Sequence, residues 1–383
     1  MTLNSPFTSP PAKPGHGEVI LSLLPPSIPT LTTLTYKYPL KLLSRSSGFT
    51  PESSVLPSAA TRPIHLYLLT YGGGLLPGDH IDVSITLKPQ TRLVVTTPQG
   101  STKIFKTAPG GRKSPRGGVK NGDESESMSR QTLAVDIGRE AALCYLPDPS
   151  APFKDSRYEQ IQRFTVDGSV TGDQRSSLCV LDWVTQGRTS RGENWDFHFW
   201  KGKNEVYLSG GLAAGGRKQK KLLLRDSIIL DNEVPYSDPD PDPSNGENGA
   251  STEKNTPNGT RANSGTIIRE RTHPHGVVGT LILYGPLFDS LASFFMQKFT
   301  SQPQIGGRNW SSSSPSSPSA PSSSSASKSK YDVTWTAARV RAGFVLVKFG
   351  AKDFETARDW LGSAIREEGS VAREFGEEAL FCL

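Results

Sequence analysis

The side chains best suited to chemistry in this sequence are a few carboxylates that stand among glycines. Asp79 ends the segment Gly72-Gly73-Gly74-Leu75-Leu76-Pro77-Gly78-Asp79. A phosphate-binding loop should open a helix, so that backbone N–H groups face the anion. Residues 81–87 instead alternate between apolar and polar side chains, as a strand does. The segment is therefore interpreted as a glycine-rich bend or bulge where two backbones come close, and not as a phosphate site.

A second carboxylate, Glu193, follows a loop that begins at Gly187-Arg188 and ends at Gly192. Two interpretations are open: an internal Arg–Glu pair that fixes the loop, or a carboxylate that faces a cavity. A hydrolase could use Asp79 or Glu193 as acid or base, but it would need a second polar group within hydrogen-bond reach. The sequence has no nucleotide-binding loop, zinc-protease motif, dithiol motif or nucleophile elbow, which counts against an enzyme.

The remaining candidate ligands carry weaker signals. Lys103 could bind an anion or an acidic partner, although such a lysine is more often a solvated charge at a strand edge. His273 and His275 have i, i+2 spacing, which on a strand would place both rings on one face. Imidazole suits Ni²⁺ or Zn²⁺, but two histidines do not complete a metal site. Asp148 lies in the stiff turn Leu146-Pro147-Asp148-Pro149.

Charge and cysteine content exclude several classes of protein. The 383 residues include 43 basic and 37 acidic side chains, a net charge of +6. Three cysteines are too few, and odd in number, for a disulfide scaffold, and they fit a reducing, cytoplasmic compartment. The basic run at residues 217–221 is interpreted as a solvated turn between strands. The alternative function is a basic module that binds a protein or a nucleic acid, although no nucleic-acid motif accompanies the run.

The elements that must position these residues are mostly strands, because short apolar or alternating segments are separated by Gly and Pro turns. Only residues 286–299 and 353–367 show helical periodicity, with Asp353 as a candidate N-cap. The apolar stretch 277–295 contains a Gly-Pro break and an aspartate, so it predicts a buried strand and then a helix, not a membrane span. The predicted strands are 64–71, 81–87, 91–97, 131–137, 140–145, 161–166, 177–184, 195–200, 205–209, 222–230, 277–284, 332–338 and 343–349.

Three polar tracts interrupt this pattern, at residues 107–130, 236–264 and 301–330. Each is rich in Ser, Pro, Gly or charge, and strand-like patterning resumes after it, so we expect disordered loop insertions into one scaffold. Residues 1–17 are expected to form a disordered tail. Residues 18–383 are then a single β domain.

Four of these segments, taken in order, resemble the urease accessory protein family UreD, called UreH in some organisms. They are residues 72–79, residues 99–105, residues 146–153 and the loop 187–193. The resemblance is strong from about residue 64 to 230, and the long polar insertions are similar to those of eukaryotic, fungal-type members. The motif residues that it carries over are Gly72, Gly73, Gly74, Gly78, Gln99, Thr102, Lys103, Asp148, Gly187, Arg188 and Gly192.

The resemblance implies a mainly β fold, with stacked, β-helix-like sheets and about two helices, and a role that is not enzymatic. It implies binding to apo-urease together with a UreF-type protein and a UreG-type GTPase, in a dimeric accessory complex, with no membrane or nucleic-acid partner. Nickel would be a transient cargo that passes through a water-filled passage during GTP-dependent metallocentre assembly, with Asp79 and Glu193 along the route. Weak, hydrated oxygen contacts suit a moving ion, since a closed thiolate or imidazole cage would trap it. No nucleotide is expected to bind this chain itself.

Overall fold

The computed structural model describes residues 13–48, 62–98, 100, 102–106, 128–169, 171–212, 218–232, 266–302 and 331–383. Gln99, Arg217 and nearly all of the three predicted insertions lie outside this part of the chain. Most of the strands in the described residues belong to two large sheets. Sheet A contains β1 (His16–Leu24), β2 (Ile28–Tyr36), β5 (His80–Leu87), β8 (Ser129–Ile137), β11 (Arg157–Asp167), β13 (Phe199–Leu212) and β14 (Lys218–Asp231).

Sheet B has eight strands and lies against sheet A. It contains β3 (Leu40–Ser46), β4 (Ile64–Thr70), β6 (Arg92–Thr96), β9 (Ala142–Tyr145), β12 (Ser177–Thr185), β15 (Val277–Tyr284), β16 (Val333–Arg339) and β17 (Val345–Ala351). A small pair, β7 (Lys103–Ile104) and β10 (Ala151–Pro152), completes the strands of the described residues. The described helices are α1 (Thr266–Thr272), α2 (Asp289–Thr300), α3 (Phe354–Glu368) and α4 (Ser370–Phe375).

The chain alternates between the two sheets from β4 to β13, apart from the small strands β7 and β10. Parallel pairing joins β5, β8, β11 and β13 in sheet A. It likewise joins β4, β6, β9 and β12 in sheet B. Each coil of the chain thus adds one strand to each sheet, which confirms the predicted mainly β fold with β-helix-like stacked sheets.

Two apolar layers hold this arrangement together. The alternating residues Ile81, Val83, Ile85 and Leu87 are all buried, and they pack between the sheets as their pattern predicts. A second layer lies between the other face of sheet B and the helices α2, α3 and α4. In α3, the N-cap Asp353 accepts a hydrogen bond from the Thr356 N–H at 2.8 Å, as expected.

Several boundaries differ from the sequence prediction. Strands β1 to β3 had no predicted counterpart, and β1 begins at His16, inside the predicted tail. The predicted strands 195–200 and 205–209 are in fact one strand, β13, which starts at Phe199; Trp195 adopts a positive φ of 61° and stands outside it. Lys218 to Lys221 belong to β14 and not to a turn.

Gly202 lies in the gap between the two strands that were predicted where β13 runs without a break. It interrupts the apolar pattern of this strand, and glycine is usually a strand breaker. In the structure a Cβ atom at Gly202 would lie 2.5 Å from the Trp200 ring and 2.6 Å from a carboxylate oxygen of Asp182. The strand therefore needs a glycine here, because a side chain of the opposite sheet occupies the space.

Candidate functional site

A band of polar side chains crosses the apolar space between the two sheets. In sheet A, Gln162, Asn204 and Asp226 occupy one row across β11, β13 and β14. In sheet B, Asp182, Thr280 and Lys348 occupy one row across β12, β15 and β17. We call these six residues, together with Gln160, the polar layer.

Hydrogen bonds join the two rows across the interior. The Asn204 amide N–H donates to an Asp182 oxygen at 2.7 Å, and the Gln160 amide donates to the other Asp182 oxygen at 3.2 Å. The Lys348 ammonium lies 2.6 Å from an Asp226 oxygen and 3.4 Å from the Thr280 hydroxyl. The polar layer thus contains two hydrogen-bonded groups, Gln160–Asp182–Asn204 and Asp226–Lys348–Thr280, and each of them links the two sheets.

Burial alters the protonation of Asp182, which is only 2% exposed. Loss of hydration raises its pKa to about 6, and the nearby charge of Asp226 acts in the same direction. The hydrogen bonds from Asn204 and Gln160 and the charge of Lys348 oppose this rise. The Asp182 carboxyl is therefore mostly ionised at neutral pH and becomes protonated at mildly acidic pH.

The network leaves several buried polar atoms without partners among the described residues. They are both side-chain polar atoms of Gln162, the Asn204 oxygen and one Asp226 oxygen. Buried polar atoms are nearly always satisfied by protein or by ordered water. Water is therefore the natural partner along this band.

A cavity of about 20 Å³ opens beside Asp182, which is enough for one water molecule. An outer cleft of about 240 Å³ lies next to it, and the walls of both include Thr102 and Asp148. The cleft is also lined by Lys103, Gly187, Arg188, Asp353 and Glu355. The cavity wall also includes Gln160 and Asp182 of the polar layer, so polar side chains continue from the cleft towards the core.

Three of the four sequence motifs meet at this cleft. Thr102 and Lys103 enter from the β6–β8 connection, Asp148 from the turn after β9, and Gly187 with Arg188 from the loop after β12. The loops that follow parallel strands of one sheet meet at the same edge. Motif segments that are far apart along the chain thus line one cleft.

Comparison with known proteins decides the family. The family model described as the UreD urease accessory protein matches residues 16–251. The chain belongs to the UreD family.

Two fungal relatives match most of the chain, and a plant relative matches about half of it. A protein of Cryptococcus neoformans named urease accessory protein 4 is 28% identical over 98% of this chain and 97% of its own. A urease accessory protein ureD-like protein of Schizosaccharomyces pombe is 27% identical, covering 86% of this chain and 87% of its own. Urease accessory protein D of Arabidopsis thaliana is 36% identical over 47% of this chain and 50% of its own. UreD membership supports a role in urease maturation and implies contact with urease-related components.

Asp79 and Glu193, the two carboxylates predicted on the nickel route, lie outside the polar layer. One Asp79 oxygen accepts a hydrogen bond from the Leu76 N–H at 2.8 Å, and so closes the glycine-rich turn. Gly72, Gly73, Gly74 and Gly78 all have positive φ, as the predicted bend requires. Neither Asp79 nor Glu193 lies in the wall of the cavity or the cleft. Their place on a nickel route stays a prediction.

Glu193 is paired with Arg188, as the first of the two interpretations predicts. It is 7% exposed and accepts hydrogen bonds from the Arg188 backbone N–H at 3.0 Å, from Nε at 3.0 Å and from Nη2. Burial alone would raise the pKa of Glu193, but the hydrogen bonds and charge of Arg188 outweigh it and lower the pKa below its ordinary value. The Arg188 guanidinium also stacks on Phe153, 3.7 Å from the ring centre, so Glu193 fixes one wall of the cleft.

The histidine pair and the lysine run lie elsewhere. His273 and His275 follow α1 in a turn, so the strand geometry assumed for them is wrong. No three His, Cys, Asp or Glu side chains come together as a metal site in the described ranges. Lys220 contacts Asp136 on β8 and Thr165 on β11, across the intervening strand β13 of sheet A. None of the helices in the described part of the chain has both the length and the apolar character needed to cross a membrane.

The sequence reasoning missed the polar layer itself. Asp182 is a single aspartate inside the otherwise apolar strand Ser177–Thr185, and Asn204 and Asp226 interrupt two more inward faces. A charged residue at a core position of a predicted strand is the signal that could have revealed it.

Proposed function

We propose that this UreD-family chain is a urease maturation factor, not an enzyme, and that nickel passes through its polar layer into apo-urease. The observation that carries the proposal is the continuity of the polar layer with a cleft built from the family motifs. A fold stabilised only by apolar packing has no need of carboxylate and amide oxygens between its sheets.

The chemistry of the polar layer suits a cargo and not a resident metal. Its oxygens come from carboxylates, amides and a hydroxyl, which are weak ligands for a borderline cation such as Ni²⁺. A hydrated ion exchanges such contacts for water one at a time, because each contact resembles the water that it replaces. Asp182 and Asp226 carry negative charge, which favours the passage of a cation over that of an anion.

The driving event must come from partners, because the sequence contains no nucleotide-binding loop. In this proposal a UreF-type protein and a UreG-type GTPase dock on this chain in a dimeric assembly, and GTP hydrolysis releases nickel at one end of the passage. Apo-urease receives it at the other end. Membranes and nucleic acids have no part in this scheme.

Gln162→Leu tests the passage directly. Both polar atoms of Gln162 lack partners, so a leucine of similar size should leave folding intact while making the route apolar. Phe164→Leu is the matched control, since Phe164 is buried on the same face of β11, one alternation further along. Each variant is co-expressed with urease and the partner proteins, and nickel per urease is measured by mass spectrometry.

We expect Gln162→Leu to form the complex but to load much less nickel than the wild type. Phe164→Leu should lower stability and leave nickel loading per complex unchanged. Full nickel loading with Gln162→Leu would refute the passage. Full loading with this chain left out would refute the maturation role as a whole.

A further inference from the structure

The outer end of the polar layer is closed by a lysine. Lys348 extends from β17 so that its ammonium group touches Asp226 at 2.6 Å. The Lys348 side chain is 45% exposed, whereas that of Asp226 is only 9% exposed. The lysine can therefore rotate into solvent on its flexible stem, but the aspartate cannot leave the interior.

The surroundings of Asp226 contain more acceptors than donors. Its second oxygen has no partner among the described residues, and neither has the oxygen of Asn204, its direct neighbour across β13 and β14. The orientation of the Asn204 amide is fixed, because its N–H group must face the Asp182 carboxylate. Two buried oxygens on directly paired residues of adjacent strands thus have no hydrogen-bond donor among the described residues.

We infer that Asp226 and Asn204 form a transient site for a divalent cation, and that Lys348 is the resident cation which the cargo displaces. The inference rests on the proposed function, because it names the point at which the passage is controlled. With Lys348 in place, the Asp226 charge is neutralised and the route is closed. An arriving hydrated cation takes over the Asp226 and Asn204 oxygens, and the ammonium group moves to solvent.

When Lys348 returns to Asp226, it helps the cation to leave the site. One carboxylate and one amide oxygen are too few to enclose a cation, so most of its shell remains water. The ammonium group competes for the same carboxylate oxygens and restores charge balance when the cation departs. The exchange therefore keeps binding weak in both directions.

Direct nickel binding to the isolated chain tests this exchange. Lys348→Met keeps the length of the stem and removes the charge, so Asp226 has no competing partner. We expect Ni²⁺, added as the chloride in calorimetry, to bind roughly tenfold tighter than to the wild type, a gain of about 1.4 kcal/mol. Adding Asp226→Asn to Lys348→Met should abolish that gain. If Lys348→Met does not fold, Lys348→Gln provides the same test with a polar replacement.

Lys220→Met is the matched control. Lys220 is 49% exposed and pairs with the exposed Asp136 on the outer face of sheet A, so nickel binding should not change. Equal affinity of Lys348→Met and wild type, or a gain that persists in the double variant, would overturn the inference. These titrations contain no urease, so they can fail while the Gln162→Leu experiment still supports the passage.

Discussion

Replacing Glu193 by alanine separates a structural role from a place on the nickel route. The carboxylate holds the Arg188 side chain by Nε and Nη2 and also accepts the Arg188 backbone N–H. Without it, a guanidinium stacked on Phe153 and a backbone donor both lose their partner. Asp79→Ala removes a carboxylate too, but only one hydrogen bond at an exposed turn.

The expected losses differ enough to measure. Removing one partner of a fully buried ion pair costs about 3–5 kcal/mol. The Arg188 side chain is 31% exposed, so water restores part of its hydration, and we expect a loss of about 2 kcal/mol for Glu193→Ala. A single turn hydrogen bond contributes about 0.5–1 kcal/mol, which is the loss expected for Asp79→Ala.

Urea unfolding of the purified variants measures both losses. With a denaturant slope of about 3 kcal/mol/M, Glu193→Ala should lower the midpoint by roughly 0.7 M, and Asp79→Ala by less than half of that. Glu193→Gln keeps an acceptor of the same size and should fall between wild type and Glu193→Ala. If Glu193→Ala unfolds no earlier than Asp79→Ala, the Arg188 pair is not structural, and the carboxylate regains its predicted place on the route.

Three further predictions follow from contacts elsewhere in the protein. Burial tends to raise the pKa of Glu205, but Lys203, Tyr207 and Arg225 lower it to about 2. The contribution of ionised Glu205 to the free energy of unfolding is therefore full above about pH 4.5 and is lost as the pH falls towards 2. Glu205→Gln should reduce the loss of stability between those pH values by about 1–2 kcal/mol, after allowance for solvent screening. Gly202→Val should destabilise the protein by about 1–3 kcal/mol in urea, since its Cβ would meet Trp200 and Asp182, whereas Gly48→Val, with open space around it, should not. Burial raises the pKa of the Cys179 thiol well above its ordinary value, and all three cysteines are buried, so thiol reagents at pH 8 should label the protein only after unfolding.

Alternation and turn residues were sufficient to predict the body of the fold. Residues 81–87 alternate strictly and form β5, and residues 277–284 form β15 with the predicted bounds. Strand β2 was not predicted because Thr and Leu in Ile28–Tyr36 do not separate clearly into two faces. β2 lies at the edge of sheet A and only Pro29 in it is fully buried, so few of its positions have to be apolar.

The candidate site was predictable only in part. The sequence pointed to Asp79 and Glu193 because both stand among glycines, and three of the four motif segments do meet at the cleft. The polar layer depends on register between strands distant in sequence: Asp226 and Lys348 are 122 residues apart and belong to opposite sheets. Local patterning carries no information about which residues face each other across a core.

The polar layer is difficult to explain by stability alone. One row of sheet A runs through Val83, Leu133, Gln162, Asn204 and Asp226, and it changes from apolar to polar between β8 and β11. The fold can thus fill this layer with apolar side chains, and does so in its first half. Each buried acceptor without a partner costs about 1–3 kcal/mol unless water reaches it, and apolar residues of similar volume are often as stable as buried ion pairs. The polar half lies on the side where Lys348 meets solvent. These polar side chains lower stability, and they are confined to the half of the core next to an exposed lysine. A hydrated route requires such side chains, whereas a core with only a structural role avoids them.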